Sequence, residues 1–219
     1  IAHIRFLCEN YFSDKRYIRI NGKPFISIYR PSLFPDIKQT LITWREEAAK
    51  FGMELNIGFM QGFVFEVNFT DFGFDCAIEF HPTYSKMESA TEEFPWQDKL
   101  LHKLGLNDSV YYTGKVISYK KYADQMMSEQ VIRAEVYPGL TPMWDSTARH
   151  MERALIFKDS SPDLYAKWLK SIVDKYRANP QQNEFIFINA WNEWAEGNHL
   201  EPCLQWGRKY LEATKKALE

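Results

Sequence analysis

At 219 residues, with 45% apolar and 26% charged side chains, the chain is long enough to bury a core and too apolar to be disordered, and one domain over residues 1–219 is expected. A net charge of −2 leaves no global basic field for a nucleic-acid backbone, and no apolar run approaches the length of a membrane span. Three widely spaced cysteines, Cys8, Cys76 and Cys203, form neither a disulfide framework nor a metal cluster; they read as small hydrophobes in a reducing, cytoplasmic compartment.

The opening run Ile1-Ala2-His3-Ile4-Arg5-Phe6 reads as the middle of a helix, so further sequence is expected upstream of it. A buried strand follows at residues 24–29 and ends on Tyr29-Arg30-Pro31. Asp36 can N-cap a helix whose apolar side carries Ile37, Leu41, Trp44 and Ala48, with Gly52 past its end. Residues 55–60 and 74–80 form the next two strands, the second ending on Glu79-Phe80-His81-Pro82. Residues 85–113 are polar and irregular, a long loop with a short helix, and the Tyr119-Lys120-Lys121-Tyr122 patch reads as a solvated face. Residues 131–137 make a less regular strand, interrupted by Arg133 and Glu135, and Met143-Trp144-Asp145-Ser146-Thr147 follows it. Ser161-Pro162-Asp163 starts a helix with one stripe of Leu164, Trp168, Leu169, Ile172, Val173 and Tyr176, which Asn179-Pro180 stops. A last strand at residues 184–190 runs into Trp191-Asn192-Glu193-Trp194-Ala195-Glu196-Gly197, and a helix over residues 205–218 closes the order.

Five nearly continuous apolar strands alternating with helices predict an α/β fold with a parallel sheet. An open doubly wound sheet and a (β/α)8 barrel both fit that alternation. The first prefers a glycine-rich phosphate turn, which Gly58-Phe59-Met60-Gln61-Gly62 is not. The second needs eight strands, so its first strands are expected before residue 1.

In parallel α/β folds sites form beyond the carboxyl ends of strands, where Glu193 and Glu196 lie. On a helical turn their i, i+3 spacing would bring both onto one face, about 5–6 Å apart at Cβ. That suits the close carboxyl pair of a retaining glycosidase, in which one carboxyl holds a proton while the other is ionised. A solvated helix start also carries glutamates, but rarely two tryptophans, an asparagine and a glycine beside them. Tyr29, Arg30, Glu79, His81, Trp144 and Asp145 at other strand ends, with Trp191, Asn192 and Trp194, would furnish a sugar cleft. His81 on its own reads equally as a structural histidine, and Asp145 as a helix cap. His199 and Glu201 fit no recognised metal spacing, so neither a metal nor another cofactor is expected. The sequons at Asn68 and Asn107 carry meaning only in a secreted eukaryotic protein.

The run from Asn189 to Pro202, Asn-Ala-Trp-Asn-Glu-Trp-Ala-Glu-Gly-Asn-His-Leu-Glu-Pro, resembles the signature of the WbsX-type proteins. Arg16-Tyr17-Ile18, Gly22-Lys23-Pro24, Ile28-Tyr29-Arg30-Pro31, Gly73-Phe74-Asp75, Glu79-Phe80 and the stretch from Pro142 to Arg149 also fit. That family is labelled as bacterial glycosyltransferases of lipopolysaccharide O-antigen or capsule synthesis and is related to glycoside hydrolase family 99. The resemblance implies a (β/α)8 TIM-type barrel of which residues 1–219 are the C-terminal part, roughly its last five strands. It also implies a retaining route through a 1,2-anhydro sugar. Glu193 is then the base on the sugar 2-hydroxyl, Glu196 the acid on the leaving oxygen, and Asn192 a substrate hydrogen bond. Ala195 stands where family 99 hydrolases tend to have histidine, so the sugar preference is expected to differ. Three functions follow for a glycan partner: a hydrolase using the Glu193/Glu196 pair, a glycosyltransferase, or a binding module without turnover. The sequence carries no Asp-x-Asp metal site of the kind many nucleotide-sugar transferases use, and a binding module has no need of an acid/base pair.

Overall fold

The computed structural model of the chain describes residues 1–61, 69–106, 110–131, 133, 135–179 and 185–219. The helices in chain order are α1 (Ala2–Leu7), α2 (Ile37–Ala49), α3 (Trp96–Lys103), α4 (Tyr119–Glu129), α5 (Thr147–His150), α6 (Pro162–Ala178) and α7 (Lys209–Leu218). The first strands are β1 (Arg19–Ile20), β2 (Lys23–Ile28), β3 (Asn56–Met60), β4 (Cys76–Ile78) and β5 (Lys115–Ser118). They are followed by β6 (Val136–Tyr137), β7 (Gly139–Leu140), β8 (Leu155–Lys158), β9 (Phe187–Ile188), β10 (Asn192–Glu193) and β11 (Asn198–His199). The backbone divides into two compact units, Ile1–Glu79 with Arg133–Tyr137, and Phe80–Ile132 with Pro138–Glu219.

The first unit is a five-stranded sheet in the order β1-β2-β3-β4-β6. The hairpin β1–β2 is antiparallel, and its turn residues Asn21 and Gly22 both have positive φ, as a two-residue hairpin turn requires. All later neighbours are parallel, with Phe25 opposite Asn56, Gly58 opposite Cys76 and Ala77 opposite Val136. A Cβ on Gly58 would lie 2.8 Å from Cys76 Sγ, so glycine is what lets β3 and β4 approach there. On α2 the Asp36 carboxylate accepts from Gln39 N at 2.8 Å, and Leu41, Trp44 and Ala48 enter a core with Ile4, Phe12, Ile57, Phe59 and Phe74. Arg45 ties the helix to the strand starts, donating to the carbonyls of Leu55 and Gly73 and to Asp75. Glu47, buried on the same helix, is clamped by Arg5 at 2.6 Å and Lys50 at 2.5 Å, and these two cations hold its carboxyl down at about 2.

The second unit contains the parallel pairs β5–β8 and β7–β9 and the antiparallel pair β10–β11. Its core joins Tyr119, Tyr122 and Met126 of α4 to Tyr165, Trp168, Leu169 and Ile172 of α6, with Leu140 and Phe157 from strands and Trp144 from the segment after β7. The stripe on α6 is the one its sequence predicts, and Ser161 caps the helix by accepting from Leu164 N at 3.3 Å.

The α/β alternation with parallel pairing stands. The expectation of five strands undercounts, because β5, β7 and β8 are only two to four residues long and give no extended apolar run. The strand expected at residues 131–137 shortens to β6, beside a bridge from Arg133 to Val136; Ile132 and Ala134 lie outside the described residues. Glu184 and Pro180 lie outside them too, as do Gly62, Asn68 and Asn107. The last helix starts at Lys209 rather than residue 205, because a turn closed by Gly207 N to Cys203 O at 2.7 Å takes up its expected first residues. Among the described residues the hydrogen-bonded strands form one sheet and three pairs, not a closed ring, and no helix is long and apolar enough to cross a membrane.

Candidate active site

Strands β7 and β9 lie side by side and parallel, with Gly139 opposite Phe187 and Leu140 opposite Ile188. Both run on past their carboxyl ends into segments rich in polar groups. Thr141-Pro142-Met143-Trp144-Asp145 follows β7, and Asn189-Ala190-Trp191 followed by the glutamate motif leaves β9. This is the end of a parallel strand pair at which α/β proteins place their chemistry.

The motif is a hairpin, not a helix start. Asn192 pairs with His199 and Glu193 with Asn198, and Trp194–Glu196 makes a short 3-10 turn. The helical i, i+3 face expected for Glu193 and Glu196 is thereby corrected. Glu193 sits on a strand and Glu196 on the tip, because Gly197 takes a left-handed conformation at φ +54 and folds the chain back. Both glutamates are half-buried.

The β7 extension grips this hairpin. Asp145 N donates to Glu196 O at 2.9 Å, and Gly197 lies so close to Asp145 that an added Cβ would be 2.7 Å from its carbonyl oxygen. Arg149, on the short helix α5, donates from Nη1 to Glu196 Oε1 at 3.0 Å and so engages one carboxylate oxygen. On the returning strand of the hairpin the fully buried Asn198 donates to Asn189 O at 2.8 Å and accepts from the Thr141 hydroxyl at 3.0 Å, which also reaches Met143 O. Tyr119 donates to Thr141 O at 2.8 Å, so the support reaches down into the core.

Two aromatic side chains flank the carboxylates at the surface. Trp191 is 52% exposed and Trp194 47%. Trp194 stacks on the His199 ring with centroids 3.8 Å apart and donates from Nε1 to Glu201 Oε2 at 2.7 Å. His199 is buried, and that burial lowers its pKa below the ordinary imidazole value.

The other expected site residues fall in different places. Asn192 and Asp145 are exposed on the hairpin and the β7 extension, and Asp145 Oδ1 accepts from Thr147 N at 3.0 Å, one residue ahead of Ser146, the N-cap of α5. Trp144 is buried, its carbonyl accepting from Phe157 N. His81 is 4% exposed, its Nδ1 lies 2.7 Å from the Tyr122 hydroxyl, and its ring edge meets Trp168. Its carbonyl accepts from Asn189 Nδ2 at 2.7 Å, which ties it to the strand leading into the motif. Tyr29 and Arg30 are exposed past β2 in the first unit, with the Arg30 guanidinium 5.6 Å from the Tyr29 ring centroid, and half-buried Glu79 follows β4. The first unit also holds a cavity of about 600 Å³ lined by Phe34, Phe59, Phe72, Phe74 and Asp71, among others, but by neither Tyr29 nor Arg30. Among the described residues no group of three or more His, Cys, Asp or Glu side chains could hold a metal ion.

Arg149, Thr141 and Asn198 are the residues that reading the sequence overlooked. Arg149 and Asn198 stand inside the two most distinctive motifs, and their positions there are the signal that could have drawn attention to them.

Residues 1–214 match the protein family described as Glycosyltransferase WbsX. Two curated relatives from Xanthomonas campestris pv. campestris, strains ATCC 33913 and B100, are both called Uncharacterized protein WxcX. Each is 34% identical over 220 residues, which is 100% of this chain and 29% of the relative. The chain thus spans less than a third of the length of the curated relatives it matches. Among solved structures, the GH99 endo-alpha-mannosidase from Bacteroides thetaiotaomicron is similar, with a TM-score of 0.53 and 14% identity over 99% of this chain and 59% of that one. At that identity the likeness is one of fold alone.

Proposed function

The chain belongs to the Glycosyltransferase WbsX family, and we propose that it is a carbohydrate-active enzyme acting on glycosidic bonds through Glu193 and Glu196. One observation carries the proposal: a hairpin beyond the β7–β9 pair presents two half-buried carboxyls three residues apart, and the β7 extension fixes the turn between them. A merely solvated hairpin tip has no need of a buried asparagine on its returning strand and an arginine beside it.

In the proposed reaction Glu193 takes the proton from the sugar 2-hydroxyl, whose oxygen attacks C1 as the bond to the leaving oxygen breaks. Glu196 gives its proton to that leaving oxygen. Water then opens the 1,2-anhydro ring at C1, losing its proton to Glu196, while O2 regains one from Glu193. Two inversions at C1 retain the configuration. Arg149 orients Glu196 before substrate arrives, and Asn192, Asp145, Trp191 and Trp194 contact the sugar, with buried Trp144 and His81 supporting them from beneath. On the first unit, taken by itself, Tyr29, Arg30 and Glu79 are proposed as sugar contacts. In the same proposal residues 1–219 are the C-terminal part of one (β/α)8-type barrel domain. The family description favours a second reading, in which a sugar hydroxyl replaces water as the acceptor and the product is a longer glycan.

The test incubates the protein and its Glu193→Gln and Glu196→Gln variants with mannans and bacterial surface glycans, with and without nucleotide sugars, and reads products by mass spectrometry. Glycan shortening without a donor, lost in both variants, supports hydrolysis. Donor-dependent extension supports transfer, and retained binding without any product would reduce the protein to a glycan-binding module.

A further inference from the structure

Trp194 is built as a fixed plane rather than a loose surface indole. One face lies on the His199 imidazole, with centroids 3.8 Å apart and planes inclined by 22°. Its N–H edge is pinned by Glu201 Oε2 at 2.7 Å. The layer below is held in turn, since His199 is buried and its Nδ1 lies 3.2 Å from the Glu201 carbonyl oxygen. The backbone closes the frame, with Glu201 N donating to Trp191 O at 3.0 Å. With one face covered by His199, 47% of the residue still meets solvent. A large apolar ring left exposed forgoes the burial that would stabilise the fold. Holding it rigidly in that state suits a ring waiting for a ligand whose binding would otherwise cost rotamer freedom.

We propose that Trp194 is the floor of a pyranose subsite, and that His199 and Glu201 are positioning residues that fix the indole plane. The ligand is a hexopyranose that presents its axial C3 and C5 hydrogens together on one face. Such C–H bonds, polarised by neighbouring oxygens, meet the electron-rich face of the indole, while the equatorial hydroxyls stay in water. Glucose, galactose and mannose share that face. Allose does not, because its axial O3 stands on it, and an open-chain hexitol has no face at all. The subsite extends the Glu193/Glu196 reading, on which it rests for the presence of a glycan, by assigning the stereochemistry of the sugar it holds.

The test uses protein labelled with 15N-tryptophan and carrying Glu193→Gln, so that binding is read without turnover. The Trp194 indole N–H signal is identified among the seven tryptophans by its loss in Trp194→Phe. Methyl β-glycosides of glucose, galactose, mannose and allose, whose O1 is equatorial and leaves that face clear, and sorbitol, are added to roughly 100 mM, well above the millimolar dissociation constant of one weak contact. The Trp194 signal is expected to move with the first three and to stay still with methyl alloside and sorbitol. Glu201→Leu and His199→Ala should each weaken binding about fivefold, the scale of one hydrogen bond or ring contact, with thermal unfolding confirming that both fold. Glu201→Gln, whose amide oxygen still accepts from the indole, should restore affinity to within about twofold. A Trp194 signal that ignores all sugars, or responds equally to sorbitol, overturns the subsite. Unchanged affinity in both Glu201→Leu and His199→Ala overturns the positioning roles. The two proposals fail separately. Turnover that depends on Glu193 and Glu196 beside a silent Trp194 removes only the subsite. A responsive Trp194 beside turnover indifferent to both glutamates removes only the acid/base pair.

Discussion

At the scale of single residues, the shape of the motif hairpin depends on one glycine. Gly197 has φ +54, and a methyl group there would meet the Asp145 carbonyl oxygen at 2.7 Å, a backbone atom that cannot swing aside. Gly197→Ala should therefore cost more than the roughly 1–2 kcal/mol of a left-handed L-residue alone. Gly52→Ala, also at positive φ but with open space around it, should cost only that smaller amount. Urea unfolding of the two variants checks the difference, and equal losses would mean that the Asp145 contact constrains nothing. His199 makes a pH-dependent prediction. Its burial lowers the folded pKa below the unfolded value, so the unfolded chain binds more protons in the range between them. The stability this residue contributes is complete above pH ~6.5 and falls as pH drops through the unfolded and then the folded pKa. The difference in unfolding free energy between wild type and His199→Phe should shrink on acidification from pH 8 to 5; a constant difference would show that the ring titrates normally.

At the scale of elements, what was legible in the sequence was whatever local chemistry decides. Helix α6 is announced by Ser161-Pro162 and by a stripe at helical spacing, and helix α2 by Asp36 and its own stripe; both form where expected. The Asn21-Gly22 hairpin was equally local, but a search for apolar runs passes over it. Strands β5, β7 and β8 were not legible, because two to four residues acquire strand character only from a parallel partner far along the chain. The motif hairpin was hidden for a related reason. Whether Trp194-Ala195-Glu196 begins a helix or turns back is decided with Thr141, which bonds Asn198, and Asp145, which bonds Glu196, and both meet the motif only in the folded chain. The same contrast between local and tertiary control sets two magnitudes on α6. Ser161→Ala removes one cap bond, 3.3 Å long, and should cost about 1 kcal/mol. Trp168→Ala empties a fully buried site packed by His81 and Tyr122 and should cost about 3–5 kcal/mol. Denaturant midpoints rank them, and a cap loss equal to the core loss would contradict the account of how α6 is held.

At the scale of the whole molecule, composition excluded partners better than it identified one. A net charge of −2 with 27 basic and 29 acidic residues gives no field of one sign, and many charges are spent locally in pairs such as Lys120–Asp124 and Lys170–Asp174. The surface that remains beside the motif offers aromatic faces, amides and carboxyls, which recognise by stacking and short-range hydrogen bonds. These two facts make the salt response diagnostic. A protein gripping a polyanion through six to ten phosphate contacts loses roughly 10³–10⁵ in affinity between 50 and 200 mM salt, as condensed counterions are no longer released favourably. A neutral glycan seated on Trp191 and Trp194 displaces no counterions, and screening acts weakly on contacts shorter than a Debye length of about 10 Å. Affinity for neutral mannans, measured by calorimetry with the Glu193→Gln variant, should therefore change by less than about twofold across that salt range. DNA or a polyanionic glycan should not be retained at about 150 mM salt. A steep salt slope for the neutral glycan would mean that ion pairs such as Arg149–Glu196 open on binding, and would move recognition from the tryptophans to the charged groups between them.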